Sequence, residues 1–106
     1  MITDEMKRVM IDAAQRCHPK EACGVVAGGH CYELPNQSDD TGHFWLRAED
    51  IARVAVDHGG YDAVWHSHPS GVRTPSRTDW AFHPYGKALV IVAGGEVAVY
   101  GEEARP

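Results

Sequence analysis

The sequence is poor in cysteine and has no long apolar run, and each scarcity excludes a class of protein. It contains 3 cysteines in 106 residues, with no pair in CxxC spacing, so neither a disulfide framework nor a zinc ribbon is indicated. No window approaches the roughly 18 uninterrupted apolar residues of a membrane span. The opening segment MITDEMKRVM also lacks the apolar core of a signal peptide. We therefore expect a cytoplasmic protein with reduced thiols and no membrane partner.

Positive charge is scarce as well. Ten Lys and Arg residues stand against fifteen Asp and Glu residues, which gives a formal net charge of −5. A surface that binds nucleic acid regardless of its sequence needs a basic patch to neutralise phosphates, so we expect no nucleic-acid partner. The composition is otherwise ordinary for a globular protein, at 43% hydrophobic and 24% charged residues. The length suits one domain that spans residues 1–106.

The hydrophobic pattern predicts helices mixed with strands. Apolar positions at helical spacing predict an amphipathic helix from Thr3 to Cys17, and RAEDIARVAVDHGG predicts a second helix that ends at glycine. Five segments are typical of strands: ACGVVAG, HCYELP, HFWL, YDAVWHSH and the hairpin KALVIVAGGEVAVYG, which holds two. We expect an α/β (α+β) fold with a single mixed β-sheet and helices packed on it. The charged tail EEARP is expected to fray.

The segment WHSHPSGVRTPSRTD contains the residues with the clearest chemical meaning. Residues i and i+2 of a strand share a face, so His66 and His68 project together. Asp79, on the first turn of a following helix, is the natural third ligand. Two imidazoles and a carboxylate suit zinc and leave one position open, as in catalytic sites. A plainer interpretation is that Ser76 and Asp79 form a capping box. The two interpretations are compatible, because a cap can orient a ligand.

Glu21 lies directly before the apolar segment ACGVVAG. A carboxylate at such a place can become partly desolvated, which raises its pKa toward the range in which a general base works. Spacing alone does not separate this role from that of a solvated surface glutamate. Cys23, two residues further on, is expected to pack under the site and not to react.

EACG followed by HSHPSGVRTPSRTD resembles the JAMM motif of the JAB/MPN metalloproteases, most of all the short bacterial and phage-encoded members. The resemblance implies a cytidine-deaminase-like fold, a mixed sheet sandwiched by helices, over nearly the whole chain. It also implies that His66, His68 and Asp79 bind one zinc ion (Zn2+). Glu21 would be the general base for a zinc-activated water, and Ser76 would hold the oxyanion. Deaminase chemistry itself is excluded, because its His-x-Glu and Pro-Cys-x-x-Cys motifs are absent.

The function that this resemblance implies is hydrolysis of a peptide or isopeptide bond in a protein or peptide substrate. A ubiquitin-like or sulfur-carrier protein, cut near its C-terminus, is one such substrate. Two alternatives stay open: a phage tail-assembly or cell-wall-related peptidase domain, which would be virion-associated, and a non-catalytic MPN-type binding module. Members of the last kind often pair, so a homodimer is a further expectation.

Side chains near the motif leave two interpretations open. The aromatic residues Tyr61, Trp65 and Trp80 either line a groove for an extended peptide or pack in the core. The five remaining histidines lack ligand spacing, so we expect them on the surface or in loops.

Overall fold

One mixed sheet of five strands organises the chain, which the computed structural model describes from residue 2 to residue 106. The elements are α1 (Asp4–Cys17), β1 (Cys23–Ala27), β2 (His30–Leu34), α2 (Ala48–His58), β3 (Ala63–Ser67), α3 (Arg77–Phe82), β4 (Ala88–Ala93), β5 (Glu96–Tyr100) and a 3₁₀ turn at Glu102–Ala104. The strand order is β2-β1-β3-β4-β5. β3 and β4 are parallel, and the other neighbours are antiparallel. The expected mixed α+β fold is confirmed.

Helix α1 covers one face of this sheet. Thr3 caps its start, since the Thr3 Oγ1 atom accepts a hydrogen bond of 3.2 Å from the backbone N–H of Met6. Met6 and Met10 are buried against a strand cluster that includes Trp65. Trp65 has no exposed surface, so it is a core residue and does not line a groove. None of the described helices is long and apolar enough to cross a membrane.

Helix α3 covers the opposite face. Trp80 of this helix is buried against Leu89 and Ile91 of β4. Val90 and Val92, which alternate with these residues along β4, belong to the cluster under α1, as the two-residue period of a strand requires. Trp80 is therefore also a core residue.

Glycines end the elements where the sequence predicts turns. The pairs Gly28-Gly29 and Gly94-Gly95 join β1 to β2 and β4 to β5, and all four residues have positive φ, a conformation that glycine adopts without steric cost. Helix α2 ends at Gly59, which is left-handed. Both hairpins and the glycine-terminated helix are confirmed.

The predicted strand at residues 43–46 is wrong. This segment bonds to the loop before it and joins no strand: Gln37 N–H donates to the Trp45 carbonyl at 2.8 Å, and the Asn36 Oδ1 atom accepts from Trp45 N–H at 3.0 Å. Its apolar side chains have surroundings other than those of a sheet. Phe44 stacks on His66, whereas Trp45 is 57% exposed.

The expected fraying of the tail is wrong at Arg105. Its guanidinium group donates to the backbone carbonyls of Trp80, at 2.6 Å, and of His83, at 3.1 Å. His83, which we expected on the surface or in a loop, lies in the loop after α3 and is only 7% exposed. The C-terminal segment is thus attached to α3, the helix that contains Asp79.

Candidate metal centre and active site

The three side chains predicted as metal ligands lie together. His66 comes from β3, His68 follows directly after this strand, and Asp79 lies on the first turn of α3. The Asp79 carboxylate is 3.2 Å from His66 Nε2 and 3.1 Å from His68 Nε2, and the two Nε2 atoms are 3.1 Å apart. All three ligand atoms fall within 4.8 Å of one another. The three side chains are close together, as the spacing of the motif predicts.

Strand β3 holds His66 in the middle of the sheet. The residue pairs with Cys23 of β1 and Ile91 of β4, and it is 1% exposed. The Phe44 ring stacks on its imidazole with a centroid separation of 4.3 Å. Burial lowers the pKa of His66, which favours the neutral ring. A neutral ring keeps the lone pair that a metal ligand needs.

A backbone contact orients His68. Its Nδ1 atom is 2.7 Å from the carbonyl oxygen of Val72. Because a carbonyl only accepts, Nδ1 carries the hydrogen, and in the neutral ring Nε2 is the lone-pair atom that faces Asp79. A bare nitrogen and a carboxylate repel each other at this distance unless a proton or a cation lies between them. The hydrogen bond with Asp79 accordingly raises the pKa of His68.

A capping box aims Asp79 at the histidines. The Ser76 Oγ atom accepts from Asp79 N–H at 3.0 Å, and the Asp79 Oδ2 atom accepts from Ser76 N–H at 2.9 Å. Burial acts to raise the pKa of Asp79, but the hydrogen bonds with His66 and His68 outweigh it and hold this pKa below its usual range. Asp79 therefore both forms the capping box and faces the two histidines. The cap uses only a lone pair of Ser76, so the hydroxyl hydrogen remains free to donate.

Glu21 reaches the site through the pairing of β1 with β3. These strands are antiparallel neighbours, and the pairing continues past the end of β1: Ser67 N–H donates to the Ala22 carbonyl at 2.9 Å, and Ala22 N–H donates to the Ser67 Oγ atom at 2.8 Å. One further step along the register places Glu21 opposite His68, on the same face of the sheet.

The Glu21 carboxyl is buried. The residue is 6% exposed, and its Oε1 atom has no hydrogen-bond partner among residues 2–106. Burial raises the pKa of Glu21 to about 7, a value at which a carboxyl can both accept and release a proton near neutrality. Burial also raises the pKa of the Cys23 thiol, to about 12. Cys23 is therefore protonated and packs in the core, as expected.

Sequence reasoning missed Asn36, which ties the segment of Glu21 to the loop that covers His66. Its Nδ2 atom donates to the carbonyls of Glu21, at 2.9 Å, and His43, at 3.2 Å. Its Oδ1 atom accepts from the N–H groups of Ser38, at 2.9 Å, and Trp45, at 3.0 Å. An asparagine in a polar loop is common, so no local pattern distinguishes this one.

The donor set fits zinc. Two imidazole nitrogens and a carboxylate oxygen are ligands of catalytic zinc sites. Here they face one another closely, one imidazole is held in its orientation by a carbonyl, and the carboxylate by a helix cap. Such outer contacts are what fixes the orientation of metal ligands in proteins.

Comparison with known proteins identifies the family. The family of prokaryotic homologs of the JAB domain matches residues 3–105. The chain belongs to this family. This prokaryotic JAB homologue is 29% identical over 96 residues to the CysO-cysteine peptidases of Mycobacterium bovis and Mycobacterium tuberculosis, with 74% of this chain and 62% of each relative covered. It thus spans less than two thirds of the length of these curated relatives.

A solved structure shares the fold. The JAB homologue matches the solution structure of protein DSY2949 from Desulfitobacterium hafniense with a TM-score of 0.73 and 21% identity, over 95% of this chain and 84% of that one. The predicted family resemblance and the predicted fold are both confirmed.

Proposed function

We propose that this JAB homologue is a zinc-dependent peptidase or isopeptidase with a protein substrate. The observation that supports this most is the convergence of His66, His68 and Asp79 beside a buried glutamate. The name of its mycobacterial relatives, CysO-cysteine peptidase, supports a substrate in which a bond to cysteine is cleaved. A sulfur-carrier or ubiquitin-like protein is the substrate class we propose.

The setting of each residue supports the role that we propose for it. His66, His68 and Asp79 would hold a zinc ion, which when bound lowers the pKa of a coordinated water to about 7 and polarises the scissile carbonyl. Glu21 takes the proton from the attacking water and returns it to the leaving amine, since its pKa of about 7 suits both transfers. Ser76 donates its free hydroxyl hydrogen to the oxyanion of the tetrahedral intermediate.

The test is cleavage by the variant Glu21→Gln. Zinc-loaded protein is incubated with a sulfur-carrier protein that bears a C-terminal cysteine, and mass spectrometry follows release of the cysteine. Loss of a general base should slow cleavage by roughly 10²- to 10⁴-fold, while bound zinc is unchanged. Glu103→Gln makes the same chemical change at an exposed position and should keep the wild-type rate.

Three outcomes count against parts of the proposal. Cleavage by Glu21→Gln at the wild-type rate would show that Glu21 is not the base. Wild-type protein that leaves this conjugate intact but cuts other peptides would refute the substrate class. Protein that binds zinc but cleaves nothing in a broad peptide library would support a binding module.

A further inference from the structure

A cavity of about 610 Å³ opens directly onto the proposed zinc ligands. His66 and Asp79 form part of its wall, so whatever enters the cavity touches the site. Its volume lies within the usual range of ligand pockets, about 300–1,000 Å³. Tyr61 also lines it. Of the three residues Tyr61, Trp65 and Trp80, Tyr61 alone faces a groove and not the core.

The walls of the cavity are mainly apolar. Asp79 is the only Asp, Glu, Lys or Arg among the described residues that line it. The larger apolar residues come from the segment after the polar loop, from α2, from α3 and from β4: Phe44, Trp45, Leu46, Ile51, Phe82 and Leu89. A charged side chain entering this cavity would lose water without gaining an opposite charge, apart from contact with Asp79.

Two exposed aromatic residues meet at this cavity. Trp45 is 57% and Phe82 is 70% exposed, and their rings contact edge to face with centroids 5.8 Å apart. Trp45 belongs to the segment attached to Asn36, and Phe82 is the last residue of α3. Large apolar side chains exposed together beside a reactive site mark a recognition surface. Because the cavity is continuous with the proposed ligands, a molecule that reacts there can place a side chain in it.

We propose that this cavity binds a bulky apolar side chain, aromatic or branched, next to the bond that is cleaved. Trp45 and Phe82 are then specificity-determining residues of the peptidase. This inference rests on the proposed function, but it can be tested with and without cleavage.

The first experiment measures cleavage. Peptides that differ only at the residue next to the scissile bond, with Gly, Leu, Phe, Lys or Glu there, are given to the zinc-loaded protein. The kcat/KM value for Leu and Phe should exceed that for Gly by about tenfold or more, and Lys and Glu should not exceed Gly. Trp45→Ala and Phe82→Ala should remove the preference, so that the kcat/KM values for Leu and Phe fall to the value for Gly. Val56→Ala is the control, because Val56 is 81% exposed and lies outside the cavity lining.

The second experiment measures binding alone. N-acetyl-phenylalaninamide and N-acetyl-glycinamide are titrated into the protein, and the indole N–H signals are followed by NMR. Trp45→Phe assigns the Trp45 signal. The phenylalanine probe should shift this signal and the glycine probe should not.

The two experiments separate the two ideas. Equal kcat/KM values across the peptides, or no shift with the phenylalanine probe, would overturn the cavity assignment and leave the peptidase proposal standing. A clear shift without cleavage of any peptide or of the sulfur-carrier conjugate would support the cavity and refute the peptidase.

Discussion

Replacement of Glu21 by glutamine should stabilise the metal-free protein at the same time as it removes activity. Glu21 is 6% exposed, and its Oε1 atom has no hydrogen-bond partner among residues 2–106. Its pKa rises from an ordinary 4.5 to about 7, chiefly through burial, so the ionised form is less favourable in the folded chain than in the unfolded one. At about 1.4 kcal/mol for each tenfold change in an equilibrium constant, this difference costs the folded state roughly 3 kcal/mol.

The raised pKa determines the pH range of this effect. Below about pH 4.5 Glu21 is protonated in both states and carries no penalty. As the pH rises toward 7, the unfolded chain loses this proton first, so the folded state loses stability. Above pH 7 Glu21 is ionised in both states, and the folded state bears the full cost of burying the charge. Glutamine is neutral throughout. The free energy of unfolding of the variant should therefore exceed that of wild type by less than about 0.5 kcal/mol near pH 4.5 and by roughly 3 kcal/mol near pH 8.

Urea unfolding of chelator-treated protein, followed by circular dichroism at several pH values, measures this difference. For a domain of this size roughly 3 kcal/mol corresponds to about 10–20 °C in Tm, so thermal scans also detect it. The exposed control Glu103→Gln should give no pH-dependent difference. Equal free energies of unfolding for wild type and Glu21→Gln near pH 8 would refute the reasoning, and so would a variant that is less stable at every pH.

Three further changes test how the site is held in place. Asn36→Asp removes the amide N–H groups that bond the carbonyls of Glu21 and His43, so it should cost about 2 kcal/mol in urea unfolding and slow cleavage. Arg105→Ala removes donors to the carbonyl of Trp80, so it should lower Tm and weaken zinc binding through movement of α3. Asp79→Asn keeps an oxygen that can cap α3 but lacks the charge of a ligand, so zinc titration should show weaker binding while Tm changes little.

For each of these three predictions, one result would contradict it. An Asn36→Asp variant with wild-type stability would mean that the two hydrogen bonds that Asn36 donates do not hold the loop. Arg8→Ala, at an exposed position of α1, controls for loss of an arginine, and equal effects of both variants would deny Arg105 a special role. Zinc affinity unchanged in Asp79→Asn would remove Asp79 from the ligand set.

Local sequence patterns predicted the elements whose causes are local. The first amphipathic helix, the glycine-ended helix and the two glycine hairpins each depend on residues a few positions apart, and the structure has all of them. The same holds for His66, His68 and Asp79, because strand alternation and one helix start suffice to bring them together. The prediction of a strand at residues 43–46 was wrong, because the apolar residues of this segment contact the site and the loop and do not belong to a sheet.

The rest of the site depends on contacts between distant parts of the chain. Glu21 joins the site only because β1 pairs with β3, and no spacing reveals that pairing; its role was suggested by family resemblance. The cavity requires the relative positions of several segments that lie between residues 37 and 89. Arg105 is held by the carbonyl groups of Trp80 and His83. Composition cannot indicate these contacts, because a charged C-terminal segment predicts only a frayed tail.

The zinc content of protein purified without chelator tests the central claim most directly. Elemental analysis should find about one zinc per chain in wild type. It should find almost none in His68→Ala, whose circular dichroism spectrum should show that the fold is retained. Wild-type protein without zinc, or a His68→Ala variant with the wild-type zinc content, would contradict the assignment of this site.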